Sequence, residues 1–166
     1  DPRALTALSS AVPVILTLHD AWLLSGNCAH SFACERWKTG CGNCPDITIY
    51  PGLKIDSTAI NWQRKKEIFS QAQLYIATPC QWLMDKVHDS ILAPAMMEGR
   101  VIPNGVDVQV FHPGDRQQAR VQLGLPLDQP ILLFVANGIK NNPFKDYETL
   151  RAAIAWIGNK STQPVH

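Results

Sequence analysis

LYIATPCQWL, residues 74–83, decides how the chain is read, because its pattern changes within ten residues. Leu74 to Ala77 is a short apolar run of the kind that forms a strand. Thr78-Pro79-Cys80-Gln81 then opens a helix, with Thr and Gln at capping-box spacing and proline at the first helical position, where its missing N–H leaves no bond unmade. Trp82, Leu83, Val87 and Ile91 supply the apolar side of that helix, so Trp82 reads as a core residue before it reads as a sugar-stacking platform. Cys80 reads as a small buried residue.

The same alternation continues on both sides. Upstream, Arg3 to Ser9 is the tail of a helix, and Val12 to Leu18 is an apolar run rich in Val, Ile and Leu, predicted to be a strand buried on both faces. Asp56 or Ser57 caps a helix to about Ala72, with Trp62, Ile68, Phe69 and Ala72 on one face and Arg64, Lys65, Lys66 and Glu67 across it. That basic run reads as a solvated face, with contact to anionic lipid heads or an anionic substrate as the functional alternative. Downstream, Arg100 to Ile102 is a third strand that runs into Pro103-Asn104-Gly105-Val106-Asp107, a turn or crossover where a domain boundary is placed. Asp115 to Leu123 is a short helix stopped by Gly124 and Pro126, and Ile131 to Ala136 is another apolar strand. Asp146 caps a last helix striped by Leu150, Ile154 and Ile157, with Gly158 after it.

Strands alternating with helices define an α/β chain with a parallel sheet. Ligands of such sheets bind beyond the carboxyl ends of the strands. The residues standing there are His19-Asp20, Thr78, Asn104-Gly105 and the loop Asn137 to Lys145. The last ends at a helix N-terminus, which attracts phosphate, although neither a G-x-G-x-x-G nor a Walker sequence accompanies it.

HDAWLLSGNCAHSFACERWKTGCGNCP, residues 19–45, is the other informative stretch. Residues 20–56 show neither helical nor strand period, and a structureless loop of that length inside a compact domain is functional or clipped. Cys28, Cys34, Cys41 and Cys44 are the clip, and three readings stand open: a structural zinc site, two disulfides, or small buried thiols. Cys41-Gly42-Asn43-Cys44 is a C-x2-C knuckle whose middle residues tolerate a tight turn, while Cys28 and Cys34 are spread wider than in common zinc ribbons. His30 is a substitute ligand on the zinc reading.

With 46% hydrophobic and 17% charged residues and a formal net charge of +1, the 166-residue chain has an ordinary globular composition. Near-zero net charge speaks against a nucleic-acid partner. No apolar run of about 18 residues is present to span a bilayer, and no signal sequence opens the chain, so a cytoplasmic location is the expectation. The start on Asp1, in what reads as the tail of a helix, suggests a fragment.

LTLHDAW (16–22), the cysteine run ending GCGNCP (40–45), TPCQWL (78–83) and VIPNGVDVQVFHP (101–113), in this order and spacing, resemble family 4 glycosyltransferases. The similarity is greatest to bacterial polysaccharide-assembly members carrying a Cys-rich insertion, and it runs from about Val12 to Ile154. It implies a GT-B fold, two parallel Rossmann-like lobes with the active cleft between them. Residues 1–103 correspond to the C-terminal part of the acceptor lobe, with the Cys-rich loop 20–56, and residues 104–166 to the interlobe segment and the start of the donor lobe. The implied activity is transfer of a sugar, with retention, from a nucleotide-sugar donor to a saccharide or lipid-linked acceptor in surface polysaccharide synthesis. No metal is needed for catalysis on that resemblance, and peripheral contact with the inner membrane surface is compatible with it.

The resemblance assigns His19, with Asp20 beside it, to the reacting sugar. Asn104, Gly105 and Asp107 match the segment that borders the donor, and Lys145 matches the lysine of a diphosphate-binding Arg/Lys pair. Ala136-Asn137 stands where Gly-Arg is common and Asp146 where glycine is common, which leaves Lys140 as a substitute cation. The Glu-x7-Glu motif of the donor lobe and the Gly-rich acceptor loop are absent, so the chain resembles the middle of a glycosyltransferase and is expected to transfer no sugar alone. Two other classes compete: a zinc-knuckle binding module on an inert scaffold, and a truncated, catalytically silent protein.

Overall fold

The computed structural model describes residues 2–138 and 142–160. The chain divides into two compact units, Asp1–Val106 and Asp107–His166.

In the first unit, α1 (Ala4–Ala11) leads into β1 (Val14–Thr17), followed by a 3-10 turn (Trp22–Leu24), the single helical turn α2 (Arg36–Thr39), α3 (Thr58–Phe69), β2 (Leu74–Thr78), α4 (Gln81–His88) and β3 (Met96–Val101). The three strands form one parallel sheet in the order β1-β2-β3, as the alternation of elements requires. Val14 lies opposite Leu74 and Thr17 opposite Ala77, while the β2–β3 register shifts at Leu74/Tyr75 so that Thr78 faces Val101. The ladder continues past the strands, since the Leu18 N–H donates to Ala77 O (2.9 Å) and the Ile102 N–H to Thr78 O (2.8 Å). All three carboxyl ends therefore meet at one edge.

The core lies between this sheet and its helices. Trp62 and Phe69, seven apart on α3, and Leu83, Met84 and Val87 on α4 close over Leu18, Leu74 and Ile76. Each such side chain contributes roughly 1.5–3 kcal/mol on burial. Gly99 permits the close approach of α4 to β3: a Cβ there would stand 2.9 Å from the Sδ atoms of Met84 and Met96.

Five expectations are corrected in this unit. β1 is not buried on both faces: Ile15 is 73% exposed and, with Pro13, Tyr75 and Ile102, lines an open apolar recess on the face away from Phe69 and Val87. The capping box does not form, because Thr78 is paired with Val101 as the last residue of β2 and its Oγ1 donates to Cys80 O (3.1 Å). Cys80 is extended, and α4 starts at Gln81 behind it rather than at Pro79. Trp82 is 48% exposed, because Leu83 and Val87, four apart, define the inward face and Trp82 lies a hundred degrees round from Leu83. Cys80 is exposed. Lys65 is buried, at 4% exposure, whereas Arg64, Lys66 and Glu67 are on the solvated face.

In the second unit, α5 (Arg116–Leu123) is capped by Asp115, whose carboxylate accepts from the Gln118 N–H (2.7 Å), and is ended by Gly124 at φ +64°. Arg120 is buried and its guanidinium donates to the carbonyls of Pro126 (2.8 Å) and Leu127. A 3-10 turn (Pro143–Lys145) precedes α6 (Tyr147–Lys160). Ile131 to Ala136 is not a strand. A strand exists only with a neighbour to bond, and among the described residues nothing pairs with this run. Gly158 does not stop α6, which continues to Lys160.

Candidate functional site

His19 and Asp20 follow β1 directly and, with Thr17, Leu18, Trp22, Leu23, Tyr50 and Pro51, line an open recess of about 440 Å³ beyond the carboxyl end of the sheet. The backbone entering it is fixed by the bond from the Leu18 N–H to Ala77. Asp20 Oδ1 accepts from the Trp22 N–H at 2.8 Å, which turns the chain immediately after His19 and starts the 3-10 turn.

That turn rests on Lys65. The Lys65 ammonium donates to the carbonyls of Trp22 and Ser25 (2.9 Å to the latter), and lies 3.8 Å from the centroid of the Trp22 ring. Burial pushes its pKa down to about 8, against the opposing pull of Cys41, Cys28 and Asp20. The sequence reading missed this residue by counting it with its charged neighbours. Its spacing held the signal, since Lys65 is three after Trp62 and four before Phe69 on the buried stripe of α3.

The outer rim of the recess comes from the far end of the cysteine loop. The Ala29 N–H donates to Tyr50 O (2.8 Å) and the Asn27 amide to Pro51 O, which brings the cis Tyr50-Pro51 pair back beside His19. Inside the loop, Cys28, Cys34, Cys41 and Cys44 line one small cavity of about 30 Å³, together with Arg36, Trp37, Ile47, Ile49 and Leu53. All four are free thiols. Burial pushes the Cys28 thiol up, opposed by the Ser25 hydroxyl. Burial likewise pushes Cys41 up, opposed by the Gly26 N–H and reinforced by the other three cysteines. As placed, no group of three His, Cys, Asp or Glu side chains among the described residues is arranged to hold a metal ion. His30 stands apart from the thiols' cavity, stacked on Trp82 with centroids 5.4 Å apart.

Asn104 and Gly105 follow β3 on the other side of β2's end from His19 and are exposed. Thr78 is fully buried and so does not line the recess. Asp107 belongs to the second unit, where its carboxylate accepts from the Gln109 N–H (2.9 Å). Lys145 is exposed at the end of the 3-10 turn of that unit. Asp146, at φ +44°, accepts from the Thr149 N–H (3.3 Å), so a carboxylate already occupies the helix N-terminus expected to attract phosphate. Lys140 lies outside the described residues.

A parallel α/β sheet with an open recess at its carboxyl edge is an architecture that binds ligands there and serves many unrelated functions. Comparison with known proteins narrows this. The chain is 35% identical over 102 residues to a putative colanic acid biosynthesis glycosyl transferase of Escherichia coli (strain K12), covering 58% of this chain and 24% of that protein. It is 53% identical over 66 residues to the D-inositol 3-phosphate glycosyltransferase of Acidothermus cellulolyticus, covering 39% of this chain and 13% of the relative. With the enzyme of that name from Mycobacterium avium it is 60% identical over 35 residues, 21% of this chain and 8% of the relative. The chain thus spans about a quarter or less of the length of these curated relatives. No family model and no solved structure matches it.

Proposed function

We propose that this chain is part of a retaining glycosyltransferase of GT-B architecture, which moves a sugar from a nucleotide-sugar donor to a saccharide or lipid-linked acceptor in surface polysaccharide synthesis. The observation that carries the reading is the recess bearing His19 and Asp20 at the carboxyl edge of a parallel sheet, in a chain similar to curated glycosyltransferases.

The difficult step in such a transfer is departure of the nucleoside diphosphate, whose growing negative charge needs preorganised cations. Lys145, with Lys140 as its alternate, takes that role. The Asp146 carboxylate on the helix N-terminus makes the lysine side chain, not the helix dipole, the diphosphate contact. His19 hydrogen-bonds the reacting sugar or a phosphate oxygen and is not a nucleophile, and Asp20 orients the turn that presents it. Asn104, Gly105 and Asp107 border the donor. The binding-module alternative is weakened by the packing of the cysteine loop into the lobe, where the Trp62 indole donates to Trp37 O.

The test uses the full-length protein. Lys145→Ala is expected to lower turnover about a hundredfold to a thousandfold and to weaken nucleoside diphosphate binding. His19→Ala lowers turnover with diphosphate affinity retained, and Lys66→Ala, on the exposed face of α3, changes neither. A Lys145→Ala enzyme within about twofold of the unmodified one in both quantities would overturn the assignment and move it to Lys140.

A further inference from the structure

We propose that Cys28, Cys34, Cys41 and Cys44 bind one zinc ion as a closed tetrathiolate that clips the loop 20–56. Four cysteines drawn from three separate stretches of the loop line a single cavity of about 30 Å³. One water-sized probe needs roughly 10–15 Å³, so the space suits a small ion and excludes an organic ligand. Trp37, Ile47, Ile49 and Leu53 supply apolar wall beside the cysteines, and Arg36 and Asp46 are among its polar members.

The backbone is already shaped for the purpose. Gly42 stands at φ +137° and Asn43 at +46°, a pair of positive values that folds Cys41-Gly42-Asn43-Cys44 into a tight knuckle. Asn43 bears the strain of a left-handed conformation there. One donor follows from this fold: the Gly26 N–H donates to Cys41 Sγ at 3.2 Å, the kind of bond that stabilises a thiolate ligand, and a Cβ at Gly26 would meet Cys41 Cβ at 2.8 Å.

Charge is matched as well. Zinc with four thiolates carries a net charge of about −2. Arg36 lines the cavity and its guanidinium donates to the carbonyls of Gly42 (2.9 Å) and Asn43 on the knuckle, while the buried Lys65 ammonium donates to Ser25 O, one residue before Gly26. Two cations are thus held by the backbone of the same loop. The sulfurs as placed do not form a ready ligand set, but turning a cysteine between rotamers moves its sulfur by about 3 Å, comparable with the Zn–S distance of about 2.3 Å over which the set has to close.

The experiment takes the full-length protein from cells grown with zinc and purified without chelator. About one zinc per chain is expected by elemental analysis, with the four thiols unreactive until a chelator and denaturant are added together. Cobalt added to the chelator-treated protein is expected to give the intense absorption of tetrahedral cobalt thiolate. Cys41→Ser should lose both the metal and that absorption, and Cys80→Ser, an exposed cysteine outside the cluster, should keep both. If Cys41→Ser does not fold, the unmodified protein and Cys80→Ser still decide the matter. Four freely reactive thiols without metal would overturn the proposal, as would four thiols that appear only on reduction. None of these measurements depends on sugar transfer, so the zinc site and the proposed activity can fail separately.

Discussion

The indole N–H of Trp62 donates to the backbone carbonyl of Trp37 at 2.9 Å, with both rings buried. This bond joins α3 to α2, and so the cysteine loop to the helical layer of the first unit. Trp62→Phe removes the donor and leaves a buried carbonyl unpaired, which costs about 1–3 kcal/mol. Urea unfolding is expected to show the midpoint falling with the slope unchanged. An unaltered midpoint would mean that the loop is held by other contacts.

Lys65 gives the first unit a pH dependence of known sign. Its pKa falls from 10.5 to about 8 on folding because the ammonium is desolvated. Between those values the unfolded chain keeps a proton that the folded chain has released, so this group's contribution to stability rises with pH across that window. Below about pH 8 both states are protonated and the fold bears the desolvation cost in full. Cys28 and Cys41, raised above 9.0 by burial, act oppositely as free thiols, their contribution falling as pH rises past 9.0. Comparison with Lys65→Met isolates the lysine: the stability of the unmodified protein relative to the variant should increase from pH 8 to 10.5. A difference that stays level across this range would rule the assignment out.

Gly26→Ala tests the close approach of the loop to α3. An added Cβ would lie 2.4 Å from Thr58 O and 2.8 Å from Cys41 Cβ, and the first is backbone that cannot rotate away. A loss of roughly 1–3 kcal/mol is expected, with faster reaction of Cys41 toward a thiol reagent. The change at Gly105, where nothing stands within 4 Å of an added Cβ, serves as the control. Equal stability of the two variants would count against a tight Gly26 contact.

Periodicity in the chain was enough to find β1, β2, α3, α4 and the last residues of β3, but not Met96–Gly99 or the short α2 inside the cysteine loop, and the rule that ligands sit past strand ends singled out His19, which lies on an open recess. What failed depended on partners distant in sequence. Lys65 was misread because composition flagged a charge run, while the carbonyls of Trp22 and Ser25 that receive its ammonium lie 43 and 40 positions away. Tyr50 and Pro51 could not be foreseen at the recess, since only the bonds from Ala29 and Asn27 bring them there. Ile131 to Ala136 has the apolar sequence of a strand, but a sequence pattern supplies one side of a ladder and not the other. Trp82 was a different kind of error, because the four-residue spacing of Leu83 and Val87 already pointed the inner face away from it.

The Ala29–Tyr50 bond also bears on the order in which the chain folds. Val14 and Leu74 must meet across sixty positions to start the sheet, and closing so long a loop is slow, since entropy is lost before any contact rewards it. The insertion closes on itself over shorter spans, through Ala21 with Ala29, Ala29 with Tyr50 and Ile47 with Leu53. Once it has done so, more than half of the intervening chain no longer has to be ordered when β1 finds β2. Each halving of a loop saves only about 0.6 kcal/mol in closure, so the gain lies in timing more than in final stability: a segment that looks like an interruption of the sheet shortens the path by which the sheet assembles.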